Sequence, residues 1–260
     1  MSTKITAELV KELREGTGVS VMQCRAALEE ADGDMEKALI ILKKKSSTIA
    51  MKKADRETHD GVVVVREGNG KVLVLTLHSE TDFVAKNEDF TKLANNLADI
   101  AINEGTEAMK TKSGDMINEV IQKVGEKIEL GQVEEIEGAV LGNYIHAGKS
   151  ATVVSLSGGT PLLAKDIAMH IAAMKPAFTK ADDVTEEDRQ KVVEVFEKEV
   201  AESDKPEEIK KKMLEGKIST YFKEQTLMDQ SFIKNPDLTV GKLLADNGAS
   251  LVRFIRVSIG

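Results

Sequence analysis

An α+β fold is the class this sequence predicts, and three observations predict it. Two segments, one starting at Asp60 and one at Glu137, repeat the same order of elements: β-formers, a tight turn, β-formers, then an amphipathic helical run. Their period is roughly 75 to 80 residues, the mark of a duplicated unit. The residues before Asp60 read as short helices, set off by cap and breaker residues. Two longer helical runs between Val184 and Phe222 carry apolar stripes that can face one another. Hairpins with helices on one face make an α+β core rather than a parallel sheet.

The chain has 260 residues, 41% apolar and 31% charged, enough for a large core or a few smaller ones. A net charge of −8 argues against a general binder of nucleic acid or of an anionic membrane. Cys24 is the only cysteine, so neither a disulfide framework nor a cysteine zinc cluster is available. His59, His78, His146 and His170 lack metal-ligand spacing, and no metal or cofactor is expected. Neither a signal-like start nor a bilayer-length apolar run is seen, so the expected location is cytoplasmic.

Three helices fill residues 1–45. The first runs from about Thr6 to Glu15 with Leu9 and Leu13 on one face, and stops at Gly16-Thr17-Gly18. Ser20 caps the second, which carries Val21, Cys24, Ala27 and Leu28. Asp34 caps the third, with Met35, Ala38, Leu39 and Leu42 as its stripe. Cys24 reads as a small buried apolar residue, since nothing near it suggests an activated thiol. Residues 46–59 read as a polar linker, helical in part. Their lysines belong to a solvated face, because no aromatic is interleaved to stack on bases.

The first core unit, 60–136, has strands Val62 to Val65 and Lys71 to Leu77 around Asn69-Gly70, a strong tight-turn signal, then a helix from Phe90 to Ile102. Asp115 to Val124 reads as a connecting helix. The second unit takes 137–183 and 223–260: strands Ala139 to Ile145 and Lys149 to Leu156, a helix from Leu163 to Ala173, and a final strand from Leu251 to Ile259 that joins its sheet. His170 sits on that helix at a packing boundary. Residues 184–222 form an antiparallel helical hairpin. Val192, Val193, Phe196 and Val200 face Ile209, Met213 and Leu214, and Pro206 opens the second helix.

Gly148-Lys149-Ser150 looks like the end of a phosphate-binding loop, but that pattern needs a glycine where Asn143 stands, and a helix where β-formers follow. No nucleotide site is expected in this chain.

The stretch Ser79-Glu80-Thr81-Asp82-Phe83-Val84-Ala85-Lys86-Asn87 lies where a strand ends and a helix begins. Two readings of its residues stay open. Thr81 or Asp82 caps the coming helix and Phe83 tucks into the core. Alternatively, the loop projects and offers Asp82 and Phe83 to a partner.

Thr81 to Asn87 resembles the most recognisable string of the bacterial translation elongation factor Ts family, and the resemblance runs end to end. It includes Leu13-Arg14-Glu15, Cys24 to Asp34, Ala168-Met169-His170-Ile171-Ala172-Ala173-Met174-Lys175-Pro176, Leu227 to Lys234 and Thr239 to Leu244. The chain departs from the common pattern at Ser231, where proline is usual, and at Leu130-Gly131-Gln132, where an Arg-containing strand is usual. The resemblance implies that 1–45 has the fold of ubiquitin-associated domains, that the core is two related subdomains, and that 184–222 is an inserted coiled-coil arm. It further implies a non-enzymatic guanine-nucleotide exchange factor for EF-Tu, acting in protein biosynthesis. Such a factor binds both the GDP-bound and the nucleotide-free form of EF-Tu, and touches neither nucleic acid nor membrane. In the family, the loop carrying Thr81, Asp82, Phe83 and Val84 disturbs the magnesium site of EF-Tu, and His146 matches a histidine of the subdomain that touches domain 3 of EF-Tu. The competing classes are an enzyme, for which no catalytic constellation is present, and a ubiquitin-like-binding or chaperone scaffold built on the first module.

Overall fold

The computed structural model describes residues 5–259; residues 1–4 of the first module and Gly260 at the end of the second core segment lie outside the described residues. Helices combine with antiparallel sheets, so the α+β class holds. The described chain divides into two compact units: residues 5–135, 145–151 and 257–259, and residues 136–144 and 152–256.

The first unit begins with α1 (Ala7–Thr17), α2 (Val21–Glu30) and α3 (Met35–Met51). Each start is capped by the side chain of the preceding residue: Thr6, Ser20 and Asp34 accept N–H bonds from Leu9, Gln23 and Lys37. Gly18, at φ 71°, ends α1 in the left-handed conformation that glycine adopts without strain. Leu13, Val19, Cys24, Ala27, Leu28, Ala38 and Leu42 close a small core between the three helices. Cys24 is fully buried there.

The polar linker expected over residues 46–59 is helical in part: α3 continues unbroken to Met51, past the expected module end at residue 45, and no helix covers 52–59. Ser46 is buried, and Ile49 and Ala50 pack on the next core. Polar contacts hold α3 along a later helix, α6 (Thr106–Val124): Lys43 pairs with Asp115 at 3.0 Å, and the Asn118 amide reaches Ser47 Oγ at 3.5 Å. A lysine-rich run with apolar residues at helical spacing keeps one face in contact and the other in water.

Strands β1 (Asp60–Gly68) and β2 (Lys71–Ser79) pair antiparallel, Asp60 opposite Ser79 and Gly68 opposite Lys71. Asn69 and Gly70 take φ of 54° and 74°, which gives the tight turn that this dipeptide signals. Helix α5 (Glu88–Glu104) follows. Leu73, Leu75 and Leu77 alternate onto one face of β2 and meet Phe90, Leu93, Leu97 and Ala101 of α5. The connecting helix α6 starts nine residues earlier than Asp115, at Thr106. Gly114 is a poor helix former, but fully buried Met109 and buried Ser113 hold the first turns against the core and outweigh its propensity. Strand β3 (Ile128–Glu137) then pairs with β2, so the first sheet has the order β1-β2-β3 and is more than a hairpin.

The second sheet is β4 (Val140–His146), β5 (Ser150–Ser157) and β8 (Ser250–Ser258) in that order, so the final strand does join it. Helix α7 (Pro161–Met174) packs Ala164, Ile167, Ala168 and Ile171 against Val154 and Leu156. Gly142 makes that approach possible: a Cβ there would lie 2.3 Å from the Lys165 backbone nitrogen. A short pair, β6 (Ser231–Phe232) with β7 (Asn235–Thr239), and α10 (Val240–Asp246) complete this core.

Helices α8 (Glu186–Ala201) and α9 (Glu207–Gln225) lie side by side. Lys210 Nζ meets the Ala201 carbonyl near the turn, and Arg189 sits over the Phe222 ring at the far end, so the helices run antiparallel. Pro206 occupies the N-cap of α9 rather than its first turn. Ile209 is exposed and does not join the facing stripe; Phe196 and Tyr221, centroids 5.9 Å apart, carry the contact instead.

His170 is fully buried on α7. Its Nδ1 accepts the Ile233 N–H at 3.2 Å, which makes Nε2 the protonated nitrogen, donating to Gln230 Oε1 at 2.8 Å. Burial holds its pKa below the usual value of 6.5, against the smaller opposing effect of Gln230. The unfolded chain therefore binds the proton first. The contribution of His170 to stability is flat above pH ~6.5 and falls as pH drops below it, by up to about 1.4 kcal/mol per pH unit. Melting curves between pH 7.5 and 5 check this: His170→Asn flattens the slope, leaving the contribution of His78, which burial shifts in the same direction. An unchanged slope in the variant contradicts the assignment.

Candidate functional site

The strand β2 ends at Ser79, and the chain turns through a single helical turn, α4 (Asp82–Ala85), before α5. Thr81 is the N-cap of α4, its hydroxyl accepting the Val84 N–H at 3.5 Å; Asn87 caps α5 in the same way, accepting from Asp89 at 2.8 Å. The two caps are six residues apart in the chain, so the short helix and the long one are separately started and the turn between them is fixed. Half of the first reading of this stretch is therefore modified: Thr81 does cap a helix, but it is the short α4, and the longer helix that follows is capped by Asn87.

The other half does not hold. Phe83 is 82% exposed, against the complete burial of Phe90 seven residues on. One turn of helix cannot point all of its side chains inward, and the inward position goes to Val84. Val84 is 8% exposed and belongs to the core with Leu77, Ala85 and Phe90. Val84 was expected in the partner-binding set. Its burial makes it the anchor of the turn rather than part of its outer face. Asp82 lies on the outer face and pairs with Lys86 at 2.7 Å, one turn on. Both are well exposed, so the pair is weak and screened, although it raises the Lys86 pKa.

Behind the turn, two carboxylates cross between segments 79–81 and 125–127. Glu126 accepts the Thr81 N–H at 3.0 Å through Oε2 and the Thr81 hydroxyl at 2.7 Å through Oε1. In return, Glu80 Oε1 accepts the Lys127 N–H at 2.6 Å, and Arg56 donates to both Glu80 oxygens at 3.0 and 3.2 Å. Burial pushes the Glu80 carboxyl up, but the Lys127 N–H and the Arg56 guanidinium outweigh it and hold its pKa below the usual range. The Ser79 hydroxyl donates to the Thr81 carbonyl at 2.9 Å. The base of the turn is rigid, and its outer face is one aromatic ring and one ion pair.

His146 ends β4 and is exposed, on a different element from the turn. The following Ala147 and Gly148 take φ of 51° and 68°, a tight hairpin turn. Lys149 Nζ is bound to the Asp60 carboxylate and the Gly61 carbonyl, so Gly148-Lys149-Ser150 is a strand turn with its lysine already engaged. Sequence reasoning missed Glu126 and Glu80; the only signal for them is acidic residues at the ends of two strands, which becomes meaningful once those ends are neighbours.

A solvent-facing aromatic on a turn clamped from behind has the form of a protein-docking element, since exposed rings become anchors when a partner buries them. No group of three or more His, Cys, Asp or Glu among the described residues could hold a metal ion, and no helix among them is long and apolar enough to cross a membrane. The class defined is an α+β protein with a candidate docking turn.

Comparison with known proteins gives the family. The family model for elongation factor Ts matches residues 80–260. Elongation factor Ts of Marinobacter nauticus is 41% identical over 263 residues, covering 98% of this chain and 91% of that protein. The protein of the same name from Hahella chejuensis is 40% identical, with 98% and 92% covered. That of Legionella pneumophila is 37% identical, with 100% and 93% covered. The chain belongs to the elongation factor Ts family, and so to the factors of translation elongation.

Proposed function

We propose that this chain is a guanine-nucleotide exchange factor for EF-Tu, and that it promotes GDP release by inserting the Thr81–Val84 turn near the magnesium site of that GTPase. The supporting observation is Phe83, a large apolar side chain left 82% exposed on a turn whose base is held by Glu126 and Glu80. The factor makes and breaks no covalent bond. It binds the nucleotide-free conformation of EF-Tu better than the GDP-bound one, and this difference in affinity is what shifts the population.

Each residue has a physical part in this reading. Phe83 gains apolar burial only where the partner opens a pocket for it, worth about 1.5–3 kcal/mol for a whole ring. Asp82 brings a carboxylate towards a site built for a cation, after giving up its exposed pairing with Lys86. Thr81 and Val84 hold the turn in shape from inside. His146 contributes to a second contact, away from the turn. The three helices of 1–45 act as a ubiquitin-associated-type module, and 184–222 acts as a coiled-coil arm inserted in the second core subdomain, with 60–136 as the first. The site of action is the cytoplasm.

Release of a fluorescent GDP from EF-Tu, chased with unlabelled GDP, tests the function. Catalytic amounts of the factor accelerate release; no acceleration contradicts the proposal. The arm gives a further check. Phe222 stacks near Phe178 at 6.2 Å, and the Phe178 N–H bonds the Gln225 carbonyl, so the end of α9 belongs to the core around it. Replacing residues 187–220 with a short bridge leaves that anchor in place. The shortened chain is expected to melt cooperatively and to retain exchange. Loss of the cooperative transition would show that the arm is part of the core.

A further inference from the structure

We propose that Glu126 is a positioning residue for exchange: its carboxylate, gripping Thr81 through both N–H and hydroxyl, sets the direction in which Phe83 is presented. This rests on the reading of the Thr81–Val84 turn given above and extends it to a residue outside the turn. Thr81 and Glu126 are 45 positions apart in the chain and meet because β2 and the start of β3 end side by side.

The geometry favours positioning over simple adhesion. The Thr81 hydroxyl has one proton, and it goes to Glu126 Oε1 at 2.7 Å. That fixes the rotamer in which its lone pair meets the Val84 N–H, the bond that starts α4. The Thr81 N–H is taken by the second oxygen at 3.0 Å. One carboxylate thus orients both the backbone and the side chain of the cap residue, two positions before Phe83 in the chain. Helix α4 has four residues, too few to persist on its own. Its orientation comes from what grips its first residue. Charged acceptors make the stronger kind of hydrogen bond, so this grip is firmer than an ordinary cap. Glu80 joins the same two segments through the Lys127 N–H, so they stay adjacent when Glu126 is changed.

The test uses the full-length chain with Glu126→Ala, Glu126→Gln, Phe83→Ala and the double variant Glu126→Ala/Phe83→Ala. Maximal exchange rate and half-saturating concentration are measured on EF-Tu–GDP, and each factor is melted. Glu126→Ala is expected to lower the maximal rate about tenfold, while the half-saturating concentration moves less than about twofold. Glu126→Gln keeps one acceptor oxygen and falls between wild type and Ala. In the Phe83→Ala background the Glu126→Ala change has little further effect, because there is no ring left to direct. Equal loss in both backgrounds, or a loss only in half-saturation, overturns the positioning role and leaves the turn reading intact. No loss in Phe83→Ala itself overturns the turn reading, and this inference with it. Should Glu126→Ala fail to melt cooperatively, the same cycle run with Glu126→Gln decides between these outcomes.

Discussion

Phe83→Ala slows factor-driven GDP release by about ten- to a hundredfold, the rate equivalent of losing the burial of one aromatic ring. The same substitution barely moves the factor's own melting temperature. At 82% exposure the ring has few contacts to lose in the free protein. Phe90→Ala provides the contrast. Phe90 is fully buried on α5 in the core with β2, and its truncation leaves a cavity that costs about 3–5 kcal/mol. Melting both variants beside wild type, then measuring their exchange at a temperature where each is folded, separates docking from stability. A large fall in the melting temperature of Phe83→Ala returns that ring to the core and removes it from the site.

Gly61→Ala is the second large effect, and it falls on stability. A Cβ at Gly61 would lie 2.2 Å from the Leu77 carbonyl oxygen and 2.9 Å from the His78 Cα, both backbone atoms of the paired strand. Neither can swing away as a flexible side chain would. β1 must shift against β2 just before the strand delivers Ser79 and the turn, at a cost of about 2–4 kcal/mol. Chemical denaturation reads this directly. A variant as stable as wild type would mean that the first sheet opens at its end without penalty.

Much of the fold was legible because its signals are local. Asn69-Gly70 announces the first hairpin, and Ser20 and Asp34 mark helix starts. The errors share a cause: where local signals are weak or mixed, packing decides. Gly114 and the lysines after Leu42 interrupt helical patterns that buried Met109, Ser113 and Ser46 nevertheless hold in place. Ile209 has the right spacing to face its partner helix yet stays in water, since the wide rings of Phe196 and Tyr221 make the contact. At the candidate site the residues could be named from sequence, but their directions could not. A single helical turn offers no periodicity to say which of Phe83 and Val84 points inward. The Glu126 grip on Thr81 depends on two strand ends becoming neighbours, which no window along the chain contains.

Linkage tests the central claim most directly. If the factor weakens GDP binding to EF-Tu, GDP weakens the factor's binding by the same ratio. A turn that works at the magnesium site makes much of this coupling depend on magnesium. Asp82→Ala/Phe83→Ala should therefore reduce the coupling more than it reduces affinity for nucleotide-free EF-Tu. The decisive measurement titrates wild type and double variant into EF-Tu, with and without GDP, each with and without magnesium. The account predicts a coupling ratio that magnesium changes strongly in wild type and weakly in the variant. A variant that binds nucleotide-free EF-Tu less well but keeps the full magnesium-dependent coupling would contradict it, and would leave the turn as an anchor alone.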